Sequence, residues 1–588
     1  MTRKRATPVL EGERLEPGKV KRLTVKNFRC IGTTPVTIDL DNIVVLVGPN
    51  NAGKSSILRA YELIMLDGSK KSNLAKEDFP NGEPDEKNLP TMELWTEVND
   101  PPASKWVSLE DGKKIVRERW IWDVNGESKR SGWNTELNDW DETSFPWGPA
   151  NIANTRRPQP HRVEAFDSPE KQADEITKLI VAMVEDRAKQ ILSPDGSGET
   201  EYAQIYRMLA DFQKKAFDQT KSDVEAIESR LTEMIANIFT DHFISISLNP
   251  FAEKGIQIFS GSTLSVGKKD GWQGPLRNQG SGARRAIMWA VLRVHSEQSA
   301  KSSSRPRVLL IDEPELCLHP DAIREACQVL YDLADKAGWQ VIVTTHSPAF
   351  IDLSRDNTTV VRVERSASGN IKGTTLYKPE KIKLDPDDRT NLHLLNVYDP
   401  YVAEFFFGGD IIVVEGDTEY SAFKHVQSEA NAGRIPGASP IKNLQIIRAR
   451  GKSTIISVCK ILNQFGTPYS ILHDTDTPEI KLKTGQKRVN SAWTANNKIL
   501  QAVNNAPEPD KIRLIASLKN FESAFLGRRT KRDKPYQAIQ ELKNDMGKLK
   551  TIYELLIALV DHQKPIPPGA INLKITSDDD LKEAVGQY

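Results

Sequence analysis

The octapeptide Gly48-Pro-Asn-Asn-Ala-Gly53-Lys54-Ser55 follows directly on Asn42 to Val47, which reads as a short buried strand, and runs into Ser56 to Leu66, which has helical character. GxxxxGKS in a strand-loop-helix setting is a phosphate-binding loop. Its glycines let backbone N–H groups close around phosphate oxygens, Lys54 reaches the β and γ phosphates, and the Ser55 hydroxyl is placed to ligate Mg²⁺. Gly48, Asn51, Gly53, Lys54, Ser55 and Ser56 are therefore the expected ATP-binding residues of this loop.

Two further strands carry the rest of a nucleotide site. Arg307-Val-Leu-Leu-Ile-Asp312-Glu313 ends in two carboxylates at the edge where P-loop folds bind ligands. Asp312 is expected to hold Mg²⁺ and Glu313 to polarise the attacking water. Val341-Ile-Val-Thr-Thr345-His346 is another strand, and its end presents a histidine toward the expected γ phosphate.

This set resembles the ABC ATPases of the SMC, Rad50 and RecF group, as does the opening strand Leu23-Thr-Val-Lys-Asn27-Phe28-Arg29. The resemblance gives His346 the role of the switch histidine. It also implies that ATP is sandwiched between one subunit's phosphate loop and the other's signature loop. The nearest signature here is Asn278-Gln-Gly-Ser281-Gly282, which departs from LSGGQ and keeps the Ser-Gly pair. Ser281 is thus the expected ATP contact from a second copy, and a homo-oligomer, dimer or tetramer, is implied.

Between Pro160 and His242 the pattern changes. Ser168-Pro169 is a helix start, and Ile176, Leu179, Ile180, Met183 and Val184 recur at helical spacing. A second stripe runs through Val224, Ile227, Leu231, Met234, Ile235 and Ile238, with Ser193 to Gly198 as the turn between the two. The stretch is too short and irregular for a coiled coil. It reads as a helical insertion, serving either as a dimerisation surface or as packing on the ATPase body.

Pro379 to Asp388 is charged and contains proline, a plausible linker, and a new pattern follows it. Gly409-Asp-Ile-Ile-Val-Val-Glu415-Gly416 is a buried strand ending in a carboxylate, with Glu419 four residues on in the next helix. Pro468-Tyr-Ser-Ile-Leu-His-Asp474-Thr-Asp476 is another strand, ending in an alternating acidic pair whose carboxylates can approach one strand tip. Oxygen ligands at strand tips suit Mg²⁺ or Mn²⁺. The expected metal ligands are Glu415, Glu419, Asp474 and Asp476, with Glu522 of Leu518-Lys-Asn-Phe521-Glu522 completing a second site.

Glu-Gly after a strand followed by DxD resembles the Toprim fold of topoisomerases, primases and OLD (overcoming lysogenization defect) nucleases. By that resemblance, Lys534 of the basic run 528–534, preferred to Lys531 because Lys-Pro precedes a helix, neutralises the scissile phosphate or the transition state. Two ions held about 4 Å apart would activate a water and stabilise a leaving oxygen, which gives phosphodiester hydrolysis. A topoisomerase would need a tyrosine nucleophile on a further DNA-gate domain. A bacterial-type primase would need a zinc-binding region, which four scattered cysteines cannot supply.

The expected architecture is α/β: an ABC-type P-loop ATPase with a helical insertion, followed by a C-terminal Toprim domain. The expected segments are 1–160 and 246–395 for the ATPase, 161–245 for the insertion and 396–588 for Toprim. This arrangement resembles the OLD nucleases over nearly the whole chain. The resemblance implies a metal-dependent DNA endonuclease or nickase under ATPase control, in anti-phage defence of the Gabija or retron type. It also implies a helicase-like protein or a retron RNA and reverse transcriptase complex as partner. The alternative is an SMC- or RecF-like DNA-repair or structural ATPase without nuclease activity. No apolar run approaches the roughly 18 residues of a membrane span, and no secretory signal opens the chain, so the cytoplasm is the expected compartment. Because the net charge is +0, nucleic acid would have to be held by local basic surfaces and metal ions.

Overall fold

The computed structural model describes residues 18–163, 168–188, 191–194, 200–205, 207–208, 211, 215, 264–267, 273–299 and 307–587, apart from 317, 356, 367–368, 379–381, 383, 400–401, 467, 482–485 and 528–532. The chain forms two compact units, the larger from 1–165, 306–316 and 320–588 and the smaller from 166–305 and 317–319.

In the larger unit the phosphate loop grows from a six-stranded sheet. Its order is Ile371–Tyr377, Thr358–Arg365, Ile43–Val47, Gln340–Thr344, Arg307–Asp312, Gln159–Val163. All neighbours are parallel except the first pair. The three central strands, Ile43–Val47, Gln340–Thr344 and Arg307–Asp312, are buried along their whole length, as the unbroken apolar runs require of a sheet covered on both faces. The edge strand Gln159–Val163 lies in register with Arg307–Ile311 and so crosses the boundary expected at 160. Its sequence, Gln-Pro-His-Arg-Val, is only partly buried and carries no apolar run to announce it.

A seven-stranded antiparallel sheet covers this layer. Its strands alternate: in Thr91–Glu97, Met92, Leu94 and Thr96 point inward and the intervening residues outward. Trp120 and Trp122 are wholly buried beneath it and share one core with the helix Lys54–Met65. Within that layer Arg157 donates both to Glu118 Oε1 (2.6 Å) and to Glu118 Oε2 (2.8 Å), a bidentate pair fully removed from water.

The C-terminal half of the larger unit holds a five-stranded sheet in the order Leu444–Arg448, Asp410–Val414, Tyr469–Asp474, Ile512–Ser517, Ala570–Asn572. The first four strands are parallel, so the tips of Asp410–Val414 and Tyr469–Asp474 stand side by side at one edge. The stretch read as a linker ends in a helix start instead. Asp385 and Asp388 form a capping box for the helix Pro386–Tyr398. That helix is tied to Lys452–Leu462 by Ser457 Oγ donating to Asp388 Oδ1 (2.8 Å) and by Lys460.

In the smaller unit the helix Pro169–Ala188 begins where Ser168-Pro169 places it, and it buries Ile176 and Leu179. Arg284, on the helix Ser281–Ser299, donates to Gln172 Oε1 at 2.9 Å. The helix that follows the signature loop therefore packs with the insertion, although the sequence boundaries placed it with the ATPase. The stripe from Val224 to Ile238 lies outside the described residues.

Candidate active site

The phosphate loop has the backbone its sequence demands. Gly48 has φ 137°, and a Cβ there would stand 2.0 Å from the Val363 carbonyl oxygen, so no other residue fits. Lys54 Nζ donates to the carbonyls of Gly48 (2.9 Å) and Pro49 (3.0 Å) and lies 3.1 Å from His346 Nε2. Burial, opposed by Glu313 and Asp312, lowers the Lys54 pKa. Burial, followed by the Lys54 charge, lowers that of His346.

Ser55 Oγ donates to Asp312 Oδ1 at 3.0 Å, which joins the two expected Mg²⁺ ligands directly. Thr344 also donates to Asp312. Glu313 adopts φ 47°, unusual for a residue with a side chain, and its Oε1 lies 3.7 Å from His346 Nε2. Asn51 is exposed in the loop with φ 58°. The Ser56 hydroxyl is buried against Cys30 Sγ at 3.7 Å, while Ser55 beside it is exposed.

Three participants escaped the sequence reading. Glu315 accepts from the backbone N–H of His346 (2.7 Å) and from Thr345 Oγ1 (2.9 Å), fixing the histidine turn. Arg162 approaches Asp312 at 3.5 Å from the unrecognised edge strand. Thr344 is the third. Ser281 is the exposed first residue of its helix and belongs to the smaller unit.

At the second sheet, Glu415, Glu419, Asp474 and Glu522 line a cavity of about 380 Å³ together with Asp417, Thr418, Asp533 and Lys534. Glu415 Oε2 accepts from the Asp474 backbone N–H (3.0 Å), which locks the two strand tips together. Asp474 Oδ1 accepts from the Phe521 N–H (2.8 Å), drawing in the π-helical turn Glu522–Leu526. Gly416 makes room for Glu419, since a Cβ there would meet Glu419 Oε2 at 3.1 Å. Thr418 Oγ1 donates to Glu522 Oε1 (3.2 Å), and Lys534 Nζ pairs with the same oxygen at 3.0 Å.

Burial makes Glu415, Glu419 and Asp474 resist ionisation. Burial, with Glu415 and Glu522 adding to it, pushes Glu419 up to about 7. Burial and the same neighbours hold Asp474 well above the usual carboxylate range. Glu415 is raised by burial against the opposing charge of Lys452. The hydrogen bond to Glu522 raises Lys534.

Asp476 does not join the cavity. It takes φ 60°, and its carboxylate pairs with the buried Lys452 (2.5 Å), whose ammonium also donates to Ala492 O and Asn496 Oδ1. The alternating acids thus separate: Asp474 faces the cavity, and Asp476 anchors the helix Lys452–Leu462. Lys452 carried no signal in the sequence, because it is one lysine within a basic stretch. Lys531 lies outside the described residues.

The donor set fits hard divalent cations. It consists of carboxylate oxygens, aimed at one cavity, whose mutual repulsion a positive ion would relieve. Among the described residues no three such side chains already form a coordination shell. Ser55 and Asp312 offer a second oxygen pair beside the phosphate loop.

Fold and sites together define a P-loop ATPase body followed by an acidic Toprim sheet. The chain belongs to the family described as AAA ATPase domain, whose model matches residues 19–116 and 142–351, more than half of the chain. Residues 406–476 match the model described as overcoming lysogenization defect protein-like, TOPRIM domain, as the resemblance of the sequence implied. Among curated proteins, the chain is 25% identical to the OLD nuclease of Thermus scotoductus over 90% of its own length and 96% of the relative's. It is 24% identical to the Old nuclease of Escherichia phage P2 (86% and 85%) and 22% identical to Endonuclease GajA of Bacillus cereus (80% and 77%).

Proposed function

We propose that this chain is an ATP-binding, metal-dependent DNA endonuclease or nickase of the OLD type, working as a homo-oligomer in the cytoplasm as an effector of anti-phage defence. The observation that carries this reading is the cavity in which Glu415, Glu419, Asp474 and Glu522 converge beside Lys534. The names of the three relatives, all nucleases, support it.

The four carboxylates would hold Mg²⁺ or Mn²⁺, which when bound supplies charge to activate a water and to stabilise the leaving oxygen. The chain's own groups do the rest. Lys534, with half of its side chain exposed, can leave Glu522 to meet a non-bridging phosphate oxygen. Thr418 keeps Glu522 oriented when it does so. The Glu415 bond to the Asp474 backbone fixes the spacing of the two strand tips.

In the ATPase body, Gly48, Lys54 and Ser55 would cradle the phosphates. Asp312 would complete the ion's ligands, and Glu313 and His346 would face the γ phosphate. Ser281 from a second copy would close the site. The test is conversion of supercoiled plasmid to open-circular or linear DNA with Mg²⁺ or Mn²⁺. Wild type should cut and Asp474→Ala should lose about a hundred- to a thousandfold in rate, a loss of the size seen when a group that stabilises the transition state is removed. Equal cutting by both would reject the assignment.

A further inference from the structure

Directly beyond the strand tip that bears Asp474, the chain forms a two-stranded antiparallel ribbon, Glu479–Lys481 with Lys487–Val489, that joins no other sheet. Five of its six residues are exposed, and Val489 keeps 62% of its surface in water. Such a ribbon is at best marginally stable alone, and this one also sets Lys481 opposite Lys487. Like charges directly opposed in a ladder are destabilising.

Glu479 offsets one of these charges by pairing with Lys487 at 2.8 Å. Among the described residues no carboxylate pairs with Lys481 or Arg488. Because side chains alternate along a strand, Lys481 and Lys487 share one face and Arg488 stands on the other, so both faces are cationic. The base of the ribbon is held firmly. Asn490 donates from its backbone N–H to Pro478 O and from its side chain to Thr477 O, both at 2.9 Å.

We infer that this ribbon is a docking element for the phosphate backbone of double-stranded DNA, seating the duplex beside the carboxylate cavity. Resting on the nucleic-acid reading above, it names a surface that the cavity itself does not supply. The geometry suits a duplex. Glu479 lies five residues after Asp474, so the ribbon begins no more than about 18 Å from that strand tip, within the span of a few base pairs at about 3.4 Å each. A two-stranded ribbon also fits a DNA groove, where phosphates flank it on both sides. An anionic partner supplies the charge that the opposed lysines lack.

The experiment uses the full chain carrying Asp474→Asn in Mg²⁺, and reads the anisotropy of a fluorescein-labelled 30-base-pair duplex across a range of NaCl concentrations. Adding Lys481→Gln with Arg488→Gln should weaken binding about tenfold and reduce the slope of log Kd against log salt by about 2. Glu479→Gln, which frees Lys487, should tighten binding about two- to threefold, a gain that damage to the fold cannot produce. Unchanged affinity and slope in both variants would overturn the proposal. If the wild-type chain never cuts but duplex affinity follows the ribbon charge, the ribbon stands and the nuclease reading falls. If it cuts and affinity ignores the ribbon, the reverse holds.

Discussion

Glu419 shows how one residue ties stability to chemistry. Its carboxyl is buried in the first turn of the helix Asp417–Asn431, and its pKa is pushed from 4.5 to about 7, chiefly by burial. The fold therefore favours the protonated form. The stability linked to this group is fully present below about pH 4.5 and is lost as pH rises through about 7, an effect on the order of 3 kcal/mol. Without divalent ions, the melting temperature of the wild type should fall relative to Glu419→Gln between pH 5 and pH 8. The histidines with lowered pKa, His346, His425, His473 and His562, act in the opposite direction but are common to both proteins. Scanning fluorimetry across pH in EDTA checks this, and parallel curves would refute it. Adding Mn²⁺ at pH 8 should close the gap, because the ion replaces the proton. The sequence made Glu419 legible as an acid four residues past a strand tip. It could not show that Asp476, two residues from Asp474, would turn to Lys452. That pairing depends on a left-handed backbone and on a lysine 24 residues earlier, neither of which a local motif encodes.

At the scale of elements, what the sequence revealed followed the strength of local patterns. Ile43–Val47, Arg307–Asp312, Asp410–Val414 and Tyr469–Asp474 are apolar runs ending in polar or acidic motifs, and all four are strands with those motifs at the expected ends. Gln159–Val163 carries no apolar run, so neither the strand nor Arg162 on it is legible in the sequence. Asp385-Pro386 looks like a linker in sequence because proline and clustered charge mark both linkers and helix starts, and only the Asp388 bond distinguishes them. The antiparallel sheet hides another feature invisible to pattern reading, the Arg157–Glu118 pair between a helix end and the strand Lys113–Trp122. Glu118→Ala should cost about 3–5 kcal/mol by stranding a buried guanidinium, read as a shift of the urea midpoint. A cost below about 1 kcal/mol would mean that Asn154, which accepts from Arg157 through Oδ1, suffices to satisfy the guanidinium.

The whole molecule joins two chemistries within one compact unit, and the contacts between its two parallel sheets are specific. Arg362, on the strand Thr358–Arg365 of the ATPase sheet, donates to the carbonyls of Phe405 and Phe406 just ahead of the strand that bears Glu415. Asn396 bonds Asp352, a few residues past His346. The helix that carries Asn396 is fastened in turn to Lys452–Leu462, whose first residue holds Asp476. These bonds join the segment after the His346 turn to the helix whose first residue holds Asp476. In the proposed enzyme the phosphate loop governs a cutting site built on the other sheet, and that control is open to direct measurement. It is tested most directly by plasmid cleavage rates for wild type, Lys54→Ala and Asp474→Ala as ATP is titrated. ATP should change the wild-type rate several-fold, Lys54→Ala should cut at a rate indifferent to ATP, and Asp474→Ala should stay at least about a hundredfold slower than wild type at every ATP concentration. Cutting by Asp474→Ala at the wild-type rate, or an ATP response that survives in Lys54→Ala, would contradict it.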